Sequence, residues 1–120
     1  MFTISKDFAF SASHQLLGLA PEHPCSRLHG HNYIIRVILQ GDTNSVGFVT
    51  DYRELDVFKQ WIDDHLDHRH LNDQMGGNPT AENMAAMLYH KAHELGLGNV
   101  TAVSVSETPK TWATYQPEEG

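Results

Sequence analysis

The stretch Cys25–Tyr33 reads CSRLHGHNY, with two histidines flanking Gly30 and the only cysteine of the chain just upstream. Side chains at i and i+2 of a strand share a face about 6.6 Å apart, so both imidazoles can reach one metal ion about 2.0–2.1 Å from each nitrogen. Gly30 leaves room for neighbouring backbone or a ligand. The third ligand expected is His14, which ends a stretch whose even positions are largely apolar, where an unpaired imidazole is costly to bury. His14, His29 and His31, with no carboxylate or second thiolate, would make an open tetrahedral site whose fourth position is left for water or substrate. That is the arrangement of catalytic zinc.

Cys25 is open to two readings. As a thiolate activated by zinc, Arg27 or a protonated histidine it would be a base or nucleophile. As a fourth ligand it would close the site into a structural one, and the chain would be a non-catalytic zinc-binding module. A cupin-type site also begins with His-x-His on a strand, but expects a glutamate shortly after, and NYIIRVILQ contains none. Further along, HLDHRHLND offers Asp67 beside His68, a pairing in which the carboxylate orients the ring for proton transfer. Glu107 continues the apolar stripe of Val103 and Val105, so it must face a mouth, an interface or a polar ligand. A carboxylate there can accept paired N–H donors from a flat guanidine-like heterocycle. His23, His65, His90 and His93 read as surface residues.

These groups need a scaffold. Phe2 to His14 alternates with period two and reads as a long strand. HGHNYIIRVILQG, rich in branched residues, reads as a second long strand ending at the turn-like GDTNS. RELDVFKQWIDDHL repeats apolar residues at three and four and reads as an amphipathic helix. NPTAENMAAMLYHKAHELGLG reads as a second helix, with Thr80 as N-cap, Glu82 in the first turn and Gly96 or Gly98 as the stop. NVTAVSVSE and TWATYQ read as two final strands joined at TPK. The expectation is an α+β fold: a four-stranded antiparallel sheet with both helices on one face. Two open sheet edges point to oligomerisation. The terminal QPEEG is expected to fray.

At 120 residues the chain has the length of one domain, 1–120, and its lone cysteine excludes an intramolecular disulfide. Fifteen acidic against eight basic side chains give a net charge of −7, which argues against nucleic acid as a partner. No apolar run approaches the roughly 20 residues of a membrane span, and no signal-peptide pattern opens the chain, so the cytoplasm is the expected compartment.

Taken together, FSASHQL, CSRLHGHNY, LDHRHLN, NPTAEN and SVSET resemble the superfamily of 6-pyruvoyltetrahydropterin synthase and 6-carboxytetrahydropterin synthase (QueD), in family order and nearly end to end. The resemblance implies a tunnelling fold, in which trimers close their sheets into a β-barrel and two trimers stack as a homohexamer. It implies zinc on His14, His29 and His31, Cys25 as catalytic base, Asp67 and His68 as a proton-transfer pair, and Glu107 as the anchor of the pterin ring. The implied substrate is 7,8-dihydroneopterin triphosphate. A polyanion on an acidic protein needs a local basic patch, for which Arg27 and Lys6 are the candidates, with Arg36, Arg53 and Lys110 as alternatives. Animal-type pyruvoyl synthases have a longer spacer between the cysteine and His-Gly-His than bacterial carboxy enzymes. Here three residues intervene, which favours the carboxy branch, serving queuosine or another 7-deazapurine and releasing acetaldehyde with triphosphate.

Overall fold

The computed structural model describes residues 1–118, so Glu119 and Gly120, within the segment expected to fray, lie outside the described residues. Strands β1 (Phe2–His14) and β2 (His29–Gly41) pair antiparallel along their whole length, from Phe2 opposite Gly41 to His14 opposite His29. Period-two alternation puts the even residues of β1 and the odd residues of β2 on one face, with Phe8 opposite Ile35, Phe10 opposite Tyr33 and Ala12 opposite His31. Helices α1 (Asp56–His65) and α2 (Ala81–Glu94) both pack on this face, burying Phe58 and Ile62 from one and Met84, Leu88 and Ala92 from the other. Phe8 meets Phe58 edge-on with ring centroids 5.5 Å apart.

The helix boundaries follow local chemistry. Asp51 accepts the Arg53 N–H at a 3-10 turn over Tyr52–Leu55, so α1 begins at Asp56, later than its apolar pattern does. Thr80 caps α2 by accepting the Asn83 N–H at 3.1 Å. Gly96, at φ 91°, supplies the left-handed turn that stops the helix.

The sheet departs from the expected four antiparallel strands. It has five, in the order β3-β1-β2-β4-β5, where β4 is Val100–Ser106 and β5 is Ala113–Tyr115. The added strand, β3 (Arg69–His70), runs parallel to β1, with Ala12 opposite Arg69 and Ser13 opposite His70. Two residues in a polar stretch carry no period. Backbone bonding holds them in place, the His68 N–H donating to the Ser11 carbonyl at 2.6 Å.

On the opposite face stand Ser5, Asp7, Ser11, Ile34, Arg36 and Ile38, with neither helix covering them. Arg36 grips Asp7 through two bonds of 2.8 and 3.0 Å and lies 4.6 Å from the Trp112 ring. Among the described residues no helix is long and apolar enough to cross a membrane.

Candidate metal centre and active site

The antiparallel register sets His14 directly opposite His29, and His31 follows two residues later on the same face. One potential ligand atom from each of the three rings lies within 4.8 Å of the others. His14 is fully buried, and its Nδ1 donates to the Pro79 carbonyl at 2.8 Å, with the Tyr33 hydroxyl 3.2 Å from the same nitrogen. His29 Nδ1 donates to the Arg27 carbonyl at 2.7 Å. Those carbonyls can only accept, so in the neutral rings the protons sit on Nδ1 and both Nε2 atoms carry lone pairs.

The two Nε2 atoms nevertheless stand 2.8 Å apart. Two lone pairs at that separation repel unless a cation or a shared proton lies between them. His31 Nε2 is buried without a hydrogen-bond partner among the described residues, a state a buried nitrogen rarely tolerates. A tetrahedral ion with bonds of 2.0–2.1 Å would hold its donors about 3.3 Å apart, between the closest pair and the outer limit seen here. The donor set therefore fits a metal ion. Burial pushes the His31 pKa below its ordinary value, against an opposing pull from Glu107, and His14 and His29 lower it further. The neutral, ligating form is the one favoured. Burial also raises the Tyr33 pKa well above the usual tyrosine range, Glu107 adding to it, so that hydroxyl keeps its proton.

Cys25 lies in a 3-10 turn over Pro24–Ser26, half-buried, and its sulfur is not part of the histidine cluster. Three histidines without the thiol leave the arrangement open. Arg27 follows, exposed, its carbonyl spent on His29. Lys6 sits eight residues before His14 on the same strand, about 26 Å away at the strand rise, with its ammonium 5.5 Å from the Phe8 ring. The fold does not bring Lys6 to this end of its own chain.

Asp67 Oδ2 and His68 Nδ1 lie 2.9 Å apart. Asp67 also accepts the Ser11 N–H at 3.0 Å, and this bond, helped by His68, holds its pKa below the usual carboxylate value. His68 has φ 59°, in the left-handed region that bulky residues avoid, and its side chain is 82% exposed. The pair is ordered at its carboxylate and open at its ring. Sequence reasoning gave no role to Arg69 and His70, which line a cleft of about 470 Å³ together with Ser13, His31 and His68. His70 Nδ1 is 2.9 Å from the Ser13 hydroxyl. Their membership follows from β3, which left no periodic signal.

Glu107 follows β4, and its Oε2 lies 3.7 Å from His31 Nε2. The register of β4 on β2, with Ile34 opposite Ser106, carries Glu107 to that height. It also borders a cleft of about 640 Å³ with Val105, Trp112 and the first residues of α2.

Fold and site thus define an α+β protein with an open three-histidine metal-binding arrangement at the end of its central strands. Residues 3–118 match the family described as 6-pyruvoyl tetrahydropterin synthase. The 6-carboxy-5,6,7,8-tetrahydropterin synthase of Synechocystis sp. is 37% identical, over 96% of this chain and 93% of its own. The protein of the same name from Bacillus subtilis is 30% identical, over 99% of this chain and 88% of its own. The structure of Caenorhabditis elegans 6-pyruvoyl tetrahydropterin synthase superposes with a TM-score of 0.87 at 28% identity, covering 98% of this chain and 96% of that one. The chain belongs to the 6-pyruvoyl tetrahydropterin synthase family, an enzyme family of pterin chemistry, and has its tunnelling fold.

Proposed function

We propose that the protein is a zinc-dependent 6-carboxy-5,6,7,8-tetrahydropterin synthase, converting 7,8-dihydroneopterin triphosphate and water to 6-carboxytetrahydropterin, acetaldehyde and triphosphate. The observation that carries this reading is the open cluster of His14, His29 and His31, from which the Cys25 sulfur is absent. A closed site of one cysteine and three histidines would be inert; the open one leaves a position for substrate oxygen.

Zinc on the three histidines would supply Lewis acidity, lowering the pKa of protons beside the oxygens it meets. Cys25 is the base that takes a proton from the substrate side chain. The Asp67–His68 pair moves protons at a second point, the carboxylate holding the ring in place. Glu107 accepts paired N–H groups of the pterin ring, fixing the side chain beside the histidines. Arg27, beside His29, meets phosphate; Lys6 could do so only from a neighbouring copy.

The same reading takes the barrel-forming homohexamer as the assembly, since the short strands β3 and β5 leave both sheet edges open and one sheet face has no helix over it. Its compartment is the cytoplasm, and its product serves queuosine or another 7-deazapurine.

The second reading, 6-pyruvoyltetrahydropterin synthase, keeps the site and stops at triphosphate elimination. It is favoured by the likeness to the Caenorhabditis elegans structure, and opposed by the three-residue spacer between Cys25 and His29. Metal analysis paired with product identification from dihydroneopterin triphosphate tests both. Stoichiometric zinc with acetaldehyde in step with 6-carboxytetrahydropterin is the expected result, and accumulation of 6-pyruvoyltetrahydropterin without acetaldehyde would overturn the carboxy assignment.

A further inference from the structure

β1 leaves the sheet at His14, but strand-like pairing of its backbone continues for three more residues. The Gln15 N–H donates to Asn72 Oδ1 at 2.9 Å, and the Gln15 carbonyl accepts from Asn72 Nδ2 at 2.7 Å. Two residues on, Leu17 makes the same closed pair with Asn78, both bonds at 2.8 Å. Between them Leu16 turns its N–H the other way and donates to the Cys25 carbonyl at 3.0 Å. Gln15 Nε2 adds a bond to the Ser26 carbonyl at 2.8 Å. Alternate residues thus bond to alternate sides, as in a sheet. On one side the partners are two side-chain amides standing in for the strand that β3 is too short to provide. On the other side the partner is the turn that carries the cysteine.

Asn78 precedes Pro79, whose carbonyl orients the buried His14 ring. The stretch 72–79 therefore fixes both the ring of one metal-binding histidine and the strip from which Cys25 hangs. We propose that Asn72 and Asn78 are positioning residues for Cys25, setting where its thiol stands relative to the three histidines. This rests on the reading of Cys25 as the catalytic base.

Asparagine to aspartate is nearly isosteric and separates this role from general loop support. The carboxylate still accepts from the backbone N–H but can no longer donate to the carbonyl, which it repels. The experiment uses the full-length, zinc-loaded protein and compares Asn72→Asp and Asn78→Asp with wild type in metal content, thermal midpoint, Cys25 alkylation rate by iodoacetamide, and kcat and KM on dihydroneopterin triphosphate. The expected result is metal content unchanged, kcat lower by about tenfold to a hundredfold with KM nearly constant, and an alkylation rate changed by about threefold or more.

Alkylation and kcat both within about twofold of wild type would overturn the proposal, as would a kcat loss matched by loss of zinc in folded protein. Where an aspartate variant does not fold, Asn72→Ser and Asn78→Ser, which shorten the clamp without adding charge, are read by the same criteria. Should wild type show no turnover, the reading of the function falls, while the alkylation comparison still decides the positioning role by itself.

Discussion

His14 and His29 face each other across 2.8 Å through their Nε2 atoms while the Nδ1 of each ring is committed to a backbone carbonyl. The commitments fix both rings: neither can swing away without leaving a carbonyl unpaired. Zinc content by elemental analysis is expected to be one ion per chain in wild type. Apparent zinc affinity should fall by at least about tenfold for His14→Ala, His29→Ala or His31→Ala, since loss of a group that merely orients a ligand costs about 10–100-fold. Wild-type zinc content in His31→Ala, with its circular dichroism unchanged, would remove His31 from the ligand set.

The same burial gives the metal-free protein a pH signature. The His31 pKa is lowered in the fold, chiefly by burial, so as pH falls through the ordinary value of 6.5 the unfolded chain takes up a proton that the folded one refuses. Stability rises with pH wherever the unfolded state binds more protons, so the penalty grows from about pH 6.5 downward and levels off once the folded ring is also charged. Urea midpoints of zinc-free wild type and His31→Gln should diverge between pH 7 and pH 5, wild type losing more. Parallel pH profiles would show that this ring carries no such penalty.

Asp67 and His68 are separable by substitution because they are held differently. Asp67→Asn keeps an acceptor for the Ser11 N–H and removes the charge that orients His68, so kcat should fall by about 10²–10⁴ while zinc content and fold persist. His68→Asn is expected to lose the same turnover without loss of stability, because asparagine accepts the left-handed backbone that this position requires. Steady-state kinetics with thermal melts check both. Full activity in either variant would remove the pair from proton transfer.

How much of this could be read from the residues depended on whether burial was one-sided. β1 was legible residue by residue because Phe8, Phe10 and Ala12 alternate with open positions, and a register slip would turn them all to solvent. β2 was legible as a strand from its branched residues, but Ile34 and Ile38 are apolar too, so its two faces carried no alternation. His14 was legible as an anomaly on the β1 stripe. β3 was not, since two polar residues held by backbone bonds make no pattern, and Arg69 and His70 were hidden with it. The clamps of Asn72 and Asn78 were equally hidden: a side-chain amide bonding a distant backbone leaves no trace in spacing. Glu107 was legible as facing the core side, but its approach to His31 depends on the register of β4 against β2, which hydrophobic runs do not specify.

The scaffold under the site rests on the contact of α1 with β1. Phe58 is fully buried and meets Phe8 edge-on, so Phe58→Ala should cost about 3–5 kcal/mol. Its neighbour Val57 is 43% exposed, and Val57→Ala should stay within about 0.5 kcal/mol of wild type. Urea denaturation at fixed zinc content measures both. Equal costs would mean that α1 does not pack as described.

Glu107→Gln tests the proposed pterin-anchoring role of Glu107 independently of the proposed metal. The carboxylate oxygen is 3.7 Å from His31 Nε2, too far to hydrogen-bond that nitrogen, which leaves the carboxylate free to accept from a ligand. Hydrogen bonds to a charged acceptor are worth about 1.5–3 kcal/mol, and 1.4 kcal/mol is a factor of ten, so Glu107→Gln should weaken pterin binding by about 10- to 100-fold. Glutamine keeps the shape and one acceptor oxygen, so zinc content should hold, and the loss should appear in a fluorescence titration with a pterin lacking the triphosphate. Unchanged pterin affinity would mean that another group anchors the ring. Lost zinc would instead make Glu107 a support for the metal-binding histidines, acting through its neighbour His31.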